Sequence, residues 1–206
     1  VFCLAVFSVP DCVGRFDSIA ASTFVATWAL GGFYQAYGPS IAAEQLGSTN
    51  AITAALVFSA IMIPSAIGGP INKFLTYVKA QRIGIVVFTV SLGVILLSLE
   101  QSNIILFLFA SAIAGVGQGI VLTGSIRSLI EGILPAERAS VLSLIYATSY
   151  TGAAVPSLIA GQLSHFMNLF QIALCYGFLA VFACIVTLLF TRESQQKETM
   201  KPVKVQ

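Results

Sequence analysis

Charge is what this chain has least of. Ten Lys and Arg and eight Asp and Glu make up 9% of its 206 residues, against about a quarter in a soluble globular domain. A water-facing surface cannot be covered by so few charges. The formal net charge is only +2, and the basic residues sit in separate loops, so no nucleic-acid face is expected. Histidine occurs once, at His165, and the cysteines Cys3, Cys12, Cys175 and Cys184 lack metal-ligand or redox spacing. No metal or cofactor is expected. Cys175 and Cys184 fall on opposite sides of one predicted helix and read as small apolar filler. Short alternating segments of the kind a membrane β-barrel needs are also absent.

What fills the sequence instead is hydrophobic length. Apolar residues make up 57% of the chain and the mean hydropathy is +0.94. A helix needs roughly 20 apolar residues to cross a hydrocarbon core about 30 Å thick, and such runs recur throughout. The pattern predicts an all-α integral membrane protein with spans at Ile19–Ala43, Asn50–Ile71, Ile83–Leu99, Ile104–Ser125, Ser140–Leu163 and Leu169–Thr191. Threading them alternately puts all ten Lys and Arg on one side: Arg15; Lys73, Lys79 and Arg82; Arg127 and Arg138; and Arg192, Lys197, Lys201 and Lys204. The opposite loops, around Glu44–Thr49, Glu100–Asn103 and Ser164–Asn168, have none. By the positive-inside rule both termini are expected in the cytoplasm.

Residues 1–17 are expected to be a cytoplasmic linker or the end of a preceding helix, because their apolar start is too short to span. Residues 18–192 are read as the six-span bundle, and 193–206 as a disordered cytoplasmic tail. The first residue is Val rather than Met, which reads as a fragment.

Residues 112–124, AIAGVGQGIVLTG, resemble a phosphate-cradling loop at first sight. Such a loop needs a strand before it and a helix after it in a water-accessible unit. These glycines lie instead inside membrane-length apolar sequence, and Ile120 stands where the third glycine of G-x-G-x-x-G belongs. At helical spacing Ser111, Gly115, Gly119 and Thr123 form a small-residue stripe, and Gly115 and Gly119 are expected to let a neighbouring helix backbone approach closely. Gly31, Gly38 and Pro39 in the first span, Pro64, Gly68, Gly69 and Pro70 in the second, and Gly152, Pro156 and Gly161 in the fifth can each kink or loosen a helix.

Six spans with both ends cytoplasmic resemble the C-terminal half of a major facilitator superfamily transporter. The loop GGPINKFLTYVKAQR is similar to that superfamily's signature G-x-x-x-D-R/K-x-G-R-R/K: Gly68 fills the glycine, Asn72 stands in for the acid and Lys73 fills the basic position. The match then decays at Leu75, Thr76 and Tyr77. The phrases ATWALGGFYQAYGPSI and YATSYTGAAVPSLIAG also look like bacterial members. The resemblance implies two inverted three-helix repeats, a missing N-terminal six-helix half as partner, and a cavity between the halves near the membrane midplane. It also implies residence in the plasma membrane, as in a bacterial inner membrane.

Buried polar and aromatic residues on the first, second, fourth and fifth spans are the candidates for contacting a small-molecule substrate in that cavity. They are Tyr34 and Gln35, with Trp28 and Tyr37 beside them, Gln118, and Tyr146 and Tyr150, with Ser143 and Ser149 on the same span. Aromatics at the membrane interface and polar groups joining helices are the competing reading. Lys73, Arg127, Glu131 and Arg138 are candidates for a cytoplasmic gate, against a plain role in topology and capping. No ionisable residue lies deep within any predicted span, so this half offers no proton-coupling carboxylate.

An intramembrane protease would need G-x-S-x-G and a facing histidine. Gly38-Pro39-Ser40-Ile41-Ala42 lacks the last glycine, and the only His is in a loop. Aquaporin-type Asn-Pro-Ala motifs are absent. A scaffold or receptor without transport activity stays open as an alternative. The sequence favours one half of a secondary transporter, an efflux permease working by alternating access, rather than an enzyme.

Overall fold

A computed structural model describes residues 18–47, 49–130 and 135–199. Among the described residues six α-helices follow one another: α1 (Ser18–Leu46), α2 (Ala51–Ile71), α3 (Tyr77–Glu100), α4 (Ile104–Ile130), α5 (Pro135–Leu163) and α6 (Leu169–Thr199). A short 3-10 turn, Asn72–Phe74, links α2 to α3. Among the described residues there is no strand. Five helices, α2 to α6, are long and apolar enough to cross a membrane by length and composition. The described part of α1 is not among them. It is long enough, but it carries Thr23, Thr27, Tyr34, Gln35 and several glycines.

Side-chain amides and hydroxyls set where helices begin. Asn50 accepts from the Ile52 N–H at 2.9 Å, and Asn103 from that of Leu106 at 3.1 Å. Asn168 and Gln171 cap each other reciprocally, each accepting the other's backbone N–H, at 2.9 and 3.0 Å. That is the capping-box geometry with Asn in place of Ser. Thr76 accepts from Lys79 at 3.4 Å and starts α3 at Tyr77, earlier than the expected Ile83. Hydropathy marks where lipid begins, whereas the hydrogen-bond ladder runs on past it. The same reason applies at the far end: Glu193 to Thr199, expected as disordered tail, continue α6, and Glu, Gln and Lys are good helix formers. The expected linker at residues 1–17 lies outside the described residues.

Helix α4 is the centre of the bundle. It packs along α2 on one side and α3 on the other, and touches α1. Helix α1 has the corresponding place among α5, α6 and α2, while α3 meets α6. Their inner faces form a core of Leu30, Phe33, Ile61, Ile85, Phe88, Ile95, Phe107 and Ile172. A second, smaller cluster of Phe24, Leu129, Val141 and Ile145 joins α1, α4 and α5. Two threonines of α1 are satisfied inside. Thr27 donates to the Thr23 carbonyl at 2.8 Å, and the Thr23 and Thr187 hydroxyls meet at 3.1 Å between α1 and α6. Burial therefore explains how α1 can carry Thr23 and Thr27 inside the bundle: their hydroxyls are paired there and do not face lipid.

Candidate functional site

The alternate glycines of α4 serve two neighbours at once. Successive helical residues turn by about 100°, so Gly115 and Gly119 face one way and Gly117 nearly the opposite way. A methyl group at Gly115 would strike the carbonyl oxygen of Ile61, and one at Gly119 the carbonyl oxygen of Ser65, both on α2. From the other side a methyl at Gly68 would strike the α4 backbone at Gly119 and Ile120. On the α3 side, a methyl at Gly117 would come within 2.8 Å of the Phe88 nitrogen, and one at Gly84 within 2.6 Å of the Val121 nitrogen. The α3 contact was not visible in the stripe of Ser111, Gly115, Gly119 and Thr123. Gly84 and Gly124 on the two helices are its sequence signal.

Polar groups then pin α4 to the α2–α3 connection. Asn72 is buried and its Nδ2 donates to the Ile120 carbonyl at 3.2 Å. Arg127 donates from Nη1 to the Asn72 and Leu75 carbonyls at 2.7 and 3.5 Å. Gln81 donates to the Ser125 and Ser128 hydroxyls, each at 3.3 Å. An amide at position 72 has a physical reason here, since a carboxylate could not donate to the α4 carbonyl. Of the expected gate residues, Lys73 and Arg138 are exposed, Arg127 holds the turn by donating to its carbonyls, and Glu131 lies outside the described residues.

The five expected cavity residues separate into two groups. Tyr34 is fully buried, and its hydroxyl donates to Ser111, which in turn donates to the Phe107 carbonyl at 2.7 Å. Its ring stacks on Phe107 at 5.7 Å. Tyr34, expected on a cavity wall, lies in the core and joins α1 to α4. Gln118 is also buried, and its Oε1 has no partner. Gln35 is exposed, and Tyr146 and Tyr150 are 50% and 62% exposed. One residue of rotation separates Tyr34 from Gln35, and that step moves a side chain from core to surface.

Gln35, Tyr146 and Tyr150 share a side of the bundle through Trp28. Trp28 and Gln35 are seven apart on α1 and so lie on one face. The Trp28 and Tyr150 rings meet edge to face at 5.0 Å, and Tyr146 stacks with Tyr150 at 6.4 Å. The indole Nε1 is buried without a partner. Ser143 shares the exposed side of α5, but Ser149, expected with it, is fully buried and its hydroxyl has no partner. Six positions from Ser143, it is turned about 120° away, whereas the offsets of three and seven keep Tyr146 and Tyr150 on Ser143's side. Tyr37 is half-buried against Phe33, their rings 5.3 Å apart.

Helix α5 is anchored to α1 by close backbone approach. A methyl at Gly152 would come within 2.7 Å of the Val25 Cα, and one at Gly32 within 2.9 Å of the Ala153 carbonyl oxygen. These contacts fix the α1–α5 side chains relative to each other. Nothing on this face can ionise near neutral pH except at its ends: α1 has no Asp, Glu, Lys, Arg or His before Glu44, and α5 has none after Arg138. Its chemistry is therefore aromatic stacking and neutral hydrogen bonding.

The family model of the Major Facilitator Superfamily matches residues 19–205. No curated protein and no solved structure matches the chain.

Proposed function

The chain belongs to the major facilitator superfamily, a family of membrane transporters, and on that premise we propose that it forms the C-terminal half of a secondary transporter. In this reading it works by alternating access with an N-terminal six-helix half, in the plasma membrane with both termini cytoplasmic. The solute path runs along the α1–α5 face, past Gln35, Tyr146 and Tyr150.

The observation that carries this reading is the exposure of Tyr146 and Tyr150 halfway along α5. A phenol or amide facing hydrocarbon without a partner costs roughly 2–7 kcal/mol. Lipid is a poor environment for such a face, and a watered path or a partner half is a good one. Exposed α2 residues make the contrast, since Ile52, Leu56, Ile63 and Ile67 are all aliphatic.

The helix pairing supports the inverted-repeat part of the proposal. Exchanging α1–α3 for α4–α6 turns the α1–α5 and α1–α6 contacts into α4–α2 and α4–α3 contacts, and all four are present. The complete segregation of Lys and Arg supports the orientation.

The test compares cells expressing the gene product with cells lacking it, for net movement of a panel of radiolabelled solutes. The Gln35→Ala/Tyr150→Ala double variant is expected to lose at least tenfold of any flux at unchanged abundance in the membrane. Flux at the unmodified rate would remove this face from the path.

A further inference from the structure

We propose that Trp28, Tyr146 and Tyr150 form a stacking subsite for a flat, uncharged aromatic solute bearing a hydrogen-bond acceptor. This rests on the transport reading and goes further, because it names the class of solute.

Three observations converge. First, the rings are held as an array: the Trp28–Tyr150 contact is edge to face at 5.0 Å with 69° between planes, and Tyr146 lies 29° from the Tyr150 plane. Both tyrosines keep half or more of their surface open, so the array ends in unstacked ring surface. Aromatic pairs gain about 0.5–1.5 kcal/mol beyond simple burial, and a planar solute can extend the array where a globular aliphatic one cannot.

Second, the array is neutral. Between Arg138 and the end of α5, and from Ser18 to Ala43 on α1, there is no ionisable acid or base except tyrosine. Electron-rich rings attract cations, but a cation leaving water also needs a counter-charge, and neither helix has one. An anion would meet the negative faces of the rings with no Arg or Lys to offset them.

Third, unused hydrogen-bonding capacity sits beside the rings. The Trp28 Nε1–H lacks an acceptor, and the Gln35 amide is exposed on the same face of α1. A solute with a carbonyl or ring nitrogen supplies an acceptor for the exposed Gln35 amide. A pure hydrocarbon would cover the Gln35 amide without pairing it, at roughly 1–3 kcal/mol for a donor so buried.

The experiment uses the protein in phosphatidylcholine nanodiscs and measures binding of tritiated quinoline by equilibrium dialysis at pH 7.5. Three competitors are compared: N-methylquinolinium for charge, quinoline-4-carboxylate for the opposite charge, and 2-decalone for a neutral, non-planar ketone. Trp28 is the chain's only tryptophan, so its emission reports occupancy of this subsite. The expected result is saturable quinoline binding with altered Trp28 emission, weakened at least tenfold in Tyr150→Leu and retained in Tyr150→Phe. Each competitor should displace quinoline at least tenfold less well than unlabelled quinoline. Tyr150→Phe guards against misfolding, because it keeps the ring and must keep the binding.

Tighter competition by the quinolinium or the carboxylate would overturn the uncharged class, and equal competition by 2-decalone would overturn stacking. Non-saturable uptake, or binding indifferent to Tyr150→Leu, would overturn the subsite itself. Any of these results alongside solute flux lost in Gln35→Ala/Tyr150→Ala sinks the solute class and leaves the transport reading standing. Quinoline binding as expected with flux unchanged in that variant does the reverse.

Discussion

Around α4 the helix backbones touch on both sides, with glycine against carbonyl toward α2 and glycine against amide nitrogen toward α3. Around α5 only one side is held. That helix leans on α1 through Gly152 and Gly32, with a brief contact to α4, and leaves its tyrosines open. Both groups contain small residues in apolar sequence, yet they use them differently. In the α2–α3–α4 group close approach occupies two opposite sides of the central helix and leaves no room for a ligand between the backbones, while Ile105, Phe109 and Ile113 keep a purely apolar face open. In the α1–α5–α6 group it consumes one face of α5 and holds the opposite one, which carries Tyr146 and Tyr150, in place. A small-residue stripe therefore marks rigidity, and a site must be sought on the helix face that the stripe does not use.

The comparison can be broken most forcefully at Gly119. Gly119→Leu places a side chain against the Ser65 carbonyl, where overpacking costs about 3 kcal/mol or more. Melting in detergent should fall by about 10 °C, and much of the protein should fail to reach the membrane. Asn72→Asp comes next, because the donor to the Ile120 carbonyl is replaced by a buried carboxylate. The loss is about 2 kcal/mol, seen as a lower melting temperature, with Asn72→Ala losing less.

Gly152→Ala should cost about 1–2 kcal/mol by pushing on Val25. It should also shift the emission of Trp28, which packs on the same two helices. At the small end is Gly93→Ala on α3, where nothing lies within 4 Å of the added methyl. Here removing a helix glycine should raise stability by about 0.5–1 kcal/mol. A Gly93→Ala penalty equal to that of Gly152→Ala would erase the distinction between packed and free glycines.

Much of this architecture is legible in the sequence because lipid imposes a simple requirement on it. The turn signals around Glu100–Asn103 and Ser164–Asn168 separate helices in the structure, and the break expected at Glu44–Thr49 begins later, because α1 runs on to Leu46. The helix ends were less legible at Tyr77 and Thr199, because charged residues extend a helix as readily as they end a hydrophobic run. Rotation about the helix axis was the least legible feature. Tyr34 and Gln35 both read as polar residues in a span, and only the packing of α1 on α4 sends one to Ser111 and the other outward. Gln118 was ambiguous for the same reason. The very low hydrophobic contrast around α1 and α5 removes the periodicity that would otherwise assign faces.

Water access to the α5 face tests the central claim most directly. With Cys3, Cys12, Cys175 and Cys184 replaced by serine, Tyr150→Cys and Ile63→Cys are compared for modification by a membrane-impermeant maleimide in intact membranes. Both positions are exposed on the bundle surface, at 62% and 70%, so burial does not separate them. The account predicts fast labelling at position 150 and essentially none at 63. A cysteine at 150 protected as well as one at 63 would place the tyrosine face in lipid and contradict it.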